Sequence, residues 1–161
     1  MQFSKSTGYA LHALIHLAHK ERGHNVGIKE LSALLGVSES YLSKIMSKLR
    51  QDGIVRAVTG ASGGYELARS ADQITFLEVI HVVEGRQNLY ECFNMNTQRH
   101  QLFYEAGAAE PEASDRSGKE CLVKKVMNGA EQQMYQYLQQ HTIQGVLDSA
   151  SFESNGAVIK K

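Results

Sequence analysis

The stretch Ile28-Lys-Glu-Leu-Ser-Ala-Leu-Leu-Gly-Val-Ser-Glu-Ser-Tyr-Leu-Ser-Lys-Ile-Met-Ser-Lys-Leu-Arg50 decides the reading of this chain, because two short amphipathic patterns meet in it at Gly36-Val37-Ser38. Ser32 is small enough for two helices to approach, Gly36 takes a turn conformation that side chains resist, and Leu42 returns apolar surface to the same core. Ser38 is placed to N-cap the second helix. From there Leu42, Ile45, Met46 and Leu49 follow the i, i+3, i+4, i+7 spacing of a buried stripe. Ser40, Tyr41, Ser43, Lys44, Ser47 and Lys48 cover the remaining surface, with Arg50 at its end. Hydroxyls and cations in that arrangement bind phosphate oxygens and base edges in a major groove, so the pattern predicts a helix-turn-helix with double-stranded DNA as partner. An ordinary helical hairpin with a solvated face has the same local pattern, and the segment that follows separates the two.

Gly53 is suited to stop the second helix; Ile54-Val-Arg-Ala-Val58 then reads as a strand, Thr59-Gly-Ala-Ser-Gly-Gly64 as a turn and Tyr65-Glu-Leu-Ala68 as the returning strand. A hairpin directly behind a helix-turn-helix makes a winged helix. Gly60, Gly63 and Gly64 are expected to take positive φ at the tip and bring free N–H groups close to a duplex, with Arg56 or Arg69 on phosphate.

Net charge is zero, with 17 basic and 17 acidic residues, but the charge is segregated. Residues 1–69 hold nine Lys/Arg against five Asp/Glu, a balance of +4, and the remainder is −4. That suits a DNA-facing module joined to a different one. At 161 residues and 42% hydrophobic content the chain can bury one modest core plus an appended element, and no apolar run reaches membrane-spanning length. The opening Met1-Gln-Phe-Ser-Lys-Ser-Thr7 lacks the order of a secretory signal, so the expected compartment is the cytoplasm, without a membrane partner.

A first helix is predicted from about Thr7 to Lys20, with Ala10, Leu11, Leu14, Leu17 and Ala18 inward. His12, His16 and His19 line its other side at a spacing that suits chelation, but no Cys or carboxylate adjoins them in sequence. They read as solvent-facing or DNA-facing, and no metal site is assigned. Thr75-Phe-Leu-Glu78 is a capping box opening a helix that buries Leu77, Ile80 and Val83 and stops at Gly85. Residues 107–118, with Pro111, read as a flexible loop. Beyond it Leu122, Val126, Ala130, Met134 and Leu138 recur every fourth residue, flanked by Val123, Met127 and Tyr137. This predicts a helix of about twenty residues whose apolar strip Leu122, Val126, Met134 and Leu138 forms a dimer contact. Packing within the monomer is the plainer alternative. The organisation expected is a DNA-binding domain over 1–85, a sensor or loop segment over 86–120, a dimerisation helix region over 121–148 and a loose tail over 149–161.

With these pieces in place the sequence resembles the Rrf-two family of bacterial winged helix-turn-helix transcription regulators. The resemblance is carried by Ser4-Lys5, Tyr9-Ala10-Leu11, Ser38-x-x-Tyr41-Leu42-x-x-Ile45, Lys48-Leu49-Arg50 and Gly53-Ile54-Val55. It continues through Gly60-x-x-Gly63-Gly64-Tyr65-x-Leu67-Ala68 and Ile74-Thr75-x-Leu77-x-Val79-Ile80 to Glu84-Gly85, covering about residues 1–92, and resumes at Cys121-Leu122. It implies a mainly α fold with a small β-wing and a long dimerisation helix. It also implies a homodimer that sets two recognition helices in successive major grooves of a palindromic operator, usually as a repressor, with the wings on the adjacent minor grooves. Lys5 and the wing residues Gly60, Ser62, Gly63, Gly64 and Tyr65 join the expected DNA contacts on this basis. Thr59 stands where many members carry a basic residue, so phosphate contact there is weaker or shifted.

The same resemblance frames the signal. Cluster-binding members carry three cysteines in a compact segment, whereas this chain has Cys92 and Cys121, aligned with the first and last, with 28 residues between them. No resident cofactor is therefore expected; a [2Fe–2S] cluster would need a ligand such as His100 or a Glu. Two thiols bracketing a loop can instead form a reversible disulfide if their Cα atoms come within about 7 Å. Lys119, Lys124, Lys125 and a helix N-terminus near Cys121 favour its thiolate. Two unconnected thiols, or a small-molecule effector, are the other readings. A protein-interaction module is the rival from another class. No Ser/His/Asp arrangement, P-loop or paired carboxylate motif points to an enzyme.

Overall fold

Ala10, Ala13, Leu14 and Leu17 recur on one face of α1 (Lys5–His19), and their burial is what holds this helix in the fold. Leu11 and Ala18 flank the core, half-buried. The computed structural model describes residues 2–20, 24–60, 63–86, 88–91 and 121–156, with 151–156 as backbone alone. Helix α2 (Ile28–Leu35) ends at Gly36, whose φ of 65° is the left-handed turn required there. Helix α3 (Glu39–Gln51) starts where the Ser38 hydroxyl accepts the Tyr41 N–H at 3.3 Å and buries Leu42, Ile45, Met46 and Leu49.

Strands β1 (Val55–Val58) and β2 (Gly64–Leu67) pair antiparallel, with Arg56 opposite Glu66 and Val58 opposite Gly64. A third piece of extended chain joins them: Val26 N–H donates to Tyr65 O at 2.9 Å, and Val26 O accepts the Tyr65 N–H at 2.8 Å. The wing glycines divide their roles in a way the sequence reading did not. Only Gly60 takes positive φ, at 118°. Gly63 and Gly64 are required by close approach instead, since an added Cβ would lie 2.6 Å from Val58 O and 2.5 Å from Val26 O respectively.

A short 3-10 turn (Ala71–Gln73) leads into α4 (Phe76–Glu84), capped by Thr75 through the Glu78 N–H at 3.2 Å and followed by Gly85 at φ 85°. The capping box is half-made, because the Glu78 carboxylate turns to Arg69.

The expected helix of about twenty residues is α5 (Leu122–Gln140); a further helix, α6 (Ile143–Gly156), follows it and takes in residues 149–156 of the expected tail, whose last residues, 157–161, lie outside the described residues. The reason is a local cap and a core anchor. Thr142 Oγ1 accepts the Gly145 N–H at 3.1 Å, and Ile143 is fully buried in the winged-helix core. Phe76 N–H donates to His141 O at 2.9 Å and Ile143 N–H to Ile74 O at 3.0 Å, tying the start of α6 to the entry of α4. The chain accordingly divides into Met1–Gln87 with Tyr137–Lys161, and Asn88–Gln136. The unit that contains the expected DNA-binding domain over 1–85 also includes α6, which packs on α1. No helix among the described residues is long and apolar enough to cross a membrane.

Candidate nucleic-acid interface

Burial of four residues on one side of α3 leaves Ser40, Tyr41, Lys44, Lys48 and Arg50 exposed on the other, with Ser43 and Ser47 half-buried between. Glu39 in the first turn and Lys48 and Arg50 in the last complement the helix dipole. Tyr41 is tied to α1: its hydroxyl shares a 2.7 Å hydrogen bond with Ser6 Oγ and its ring meets Tyr9 edge-on at 5.9 Å. The exposed Lys5 adjoins Ser6 in the chain, so the start of α1 and the start of α3 are brought together as one polar surface.

The expected cations separate by what they touch. Lys48 Nζ donates to Val83 O at 3.0 Å. Arg56 Nε pairs with Glu66 at 2.7 Å across the wing, and Arg69 is held by Glu78 and by Gln73 O, so both phosphate candidates of the wing already have intramolecular partners. Lys5, Lys44 and Arg50 have none among the described residues. In the wing, Gly60 is exposed at the tip, Tyr65 is half-buried against the core, and Gly64 faces Val26. Ser62 lies outside the described residues.

Glu84, which the sequence marks only as part of the family resemblance, has a role that its neighbours in the chain do not signal. Its Oε1 accepts the Ser4 N–H at 2.7 Å and the Thr7 hydroxyl at 2.5 Å, capping α1 from a distance while Ser4's own side chain does not. Those bonds, from Thr7 first and then Ser4, hold its carboxyl below the usual carboxylate range, with Lys48 adding a smaller pull. Nothing local signals a partnership between residues nearly eighty positions apart.

Cys121 is 3% exposed and directly precedes α5, where its carbonyl accepts the Lys125 N–H at 2.8 Å. Cys92, His100, Lys119 and the loop over 107–118 lie outside the described residues. Among the described residues no group of three or more His, Cys, Asp or Glu stands together as a metal site. His12 directs Nδ1 to Gly8 O at 2.7 Å, and His16 faces Glu30 at 3.9 Å. A groove of about 470 Å3 runs beneath the wing past Lys20, Arg56 and Arg69, each of which is ion-paired. Along α5 no residue is buried: Leu122, Met134 and Leu138 are half-buried and Val126 is 72% exposed, with Val123, Met127 and Tyr137 also exposed.

A helix-turn-helix followed by a paired wing, with hydroxyls and cations on its second helix, defines a DNA-binding transcription regulator. The chain belongs to the Rrf2 (Rrf-two) family, whose model, described as an iron-dependent transcriptional regulator, matches residues 3–149; it is a family of regulators rather than enzymes. Protein aau3 of Rhizobium meliloti (strain 1021) is 32% identical over 144 residues, covering 89% of this chain and 82% of that protein. The HTH-type transcriptional regulator NsrR of Bacillus licheniformis is 29% identical over 147 residues, 91% of this chain and 92% of its own length. Among solved structures, the global cysteine regulator CymR of B. subtilis superposes with a TM-score of 0.64 at 24% identity, covering 92% of this chain and 98% of that one. IscR of T. potens does so at 0.68 and 23%, covering 100% and 93%. At these identities the superpositions establish the winged-helix fold.

Proposed function

We propose that the protein is a cytoplasmic repressor that binds a palindromic operator as a homodimer, with α3 in the major groove and the wing beside the minor groove. The observation that carries this reading is α3 itself: its apolar face is wholly buried, while Lys44 and Arg50 stand outward with no intramolecular partner among the described residues. Lys5 and the Ser6–Tyr41 pair extend the same surface. A salt titration of operator binding tests it. Lys44→Ala should weaken binding to all duplexes and make the log K against log salt slope shallower by about one, for one lost phosphate contact. Unchanged slope and affinity would place DNA elsewhere.

A second reading concerns the signal. Cys121 is attached to the first turn of α5, so a covalent bond at its thiol acts at the start of that helix. Under this reading a peroxide or diamide takes two electrons and two protons from Cys92 and Cys121, the disulfide lowers operator affinity, and a dithiol restores it. Intact mass before and after reduction decides: a loss of two hydrogens supports the switch, and added iron and sulfide overturns it in favour of a cluster.

A further inference from the structure

One cation on the outer surface of α3 is held by the protein itself. Lys48 Nζ donates at 3.0 Å to Val83 O, a carbonyl in the last turn of α4. Carbonyls there lack an intrahelical donor and sit at the negative end of the helix dipole, so an ammonium group satisfies both demands at once. The next residue, Glu84, turns to a different helix and caps α1 through Ser4 N–H and Thr7 Oγ1, the latter residue 3% exposed. Consecutive residues at one helix end thus hold the recognition helix and the first helix, each by a charge-assisted bond placed where a helix end calls for that charge.

Lys48 lies one turn beyond Lys44 on α3, so the bond to Val83 fixes how far α3 rolls about its axis, and the Glu84 cap fixes the helix against which Tyr41 is anchored. We propose that Lys48 and Glu84 are positioning residues: together they set the angle at which α3 presents Lys44 to the duplex, and Lys48 is not a phosphate ligand. This rests on the reading of α3 as the groove helix.

The test uses the full chain and an operator duplex, with salt titrations over about 50 to 200 mM for each variant. Lys44→Ala reports on the groove helix and should make the slope shallower by about one. Lys48→Met keeps the aliphatic stem; it should weaken binding about tenfold with the wild-type slope, and Lys48→Arg, which can still reach the carbonyl, should recover most of the loss. Glu84→Ala should behave as Lys48→Met does, Glu84→Gln should recover part through its acceptor oxygen, and the Lys48→Met/Glu84→Ala pair should lose less than the two losses combined. A slope made shallower by Lys48→Met as it is by Lys44→Ala would make Lys48 a phosphate contact and overturn the inference. Additive losses would overturn the shared role. If Lys44→Ala changes neither slope nor affinity, the groove-helix reading falls and the positioning role falls with it.

Discussion

Along α3 the residues Leu42, Ile45, Met46 and Leu49 are all buried within the chain, whereas the 19 residues of α5 include none that is buried, and its Val126 is 72% exposed. Both helices carry an apolar stripe at helical spacing. The contrast teaches that periodicity specifies a face to be covered without specifying which chain covers it. For α3 the cover is α1, α2, α4 and the wing strand β1. For α5 the proposed cover is the same helix of a second copy.

The largest effect should come from breaking the open side of this contrast. Val126→Asp places a carboxylate in the proposed seam of both subunits, and an uncompensated buried charge costs about 3–5 kcal/mol. Sedimentation should then show monomer, with operator affinity falling steeply because one subunit reads one half-site. A dimer that survives with normal binding would move the interface off this face.

The closed side should respond in the fold itself. Leu42→Ala should lower unfolding stability by about 2–5 kcal/mol, while Val126→Ala, compared with wild type by urea denaturation at dilutions where both are monomeric, should stay within about 0.5 kcal/mol of it. A comparable loss at both positions would mean that α5 is internal core after all.

The smallest effect sharpens the same contrast through pH. His81 is held below 6.5 by burial and then by Arg86, and Glu84 below 4.5 by its Thr7 and Ser4 bonds. In both cases the unfolded chain binds the proton more readily, so stability present at neutral pH is lost as pH falls, first below 6.5 and then below 4.5. Tyr135 on α5 is shifted the other way, above 10.0, by its hydrogen bond to Glu131 and by burial, so its contribution persists at neutral pH and is lost as pH rises past its folded value. Thermal melts across pH should show Glu84→Gln flattening the lowest acid limb and Tyr135→Phe flattening only the alkaline one. Any exchange of those limbs would sever the assignment.

The helix-turn-helix was legible because each of its signals is local: Gly36 needs a left-handed turn, Ser38 caps within three residues, and the stripe from Leu42 to Leu49 repeats within two turns. What stayed hidden acts across long separations or through backbone. Val26 joins the wing by a single bridge, too short to show alternation, and Gly64 is demanded by Val26 O rather than by its own φ. The occupied state of Lys48, Arg56 and Arg69 depends on which carboxylates and carbonyls the fold brings to them. Helix α6 does have a signal, Thr142 as N-cap ahead of Ile143 and Val146-Leu147, but grouping residues 139–148 with the helix before them leaves this short apolar run unseparated from it.

The burial of Ile143 bears on how the protein is made. A ribosome releases the chain from its N-terminus, and the helix-turn-helix and wing emerge long before the residue that fills the space beside Ile74 and Thr75. The unit that holds α3 therefore stays incomplete until α6 has been made, and a transcript cut short anywhere before Ile143 yields α3 without that last wedge.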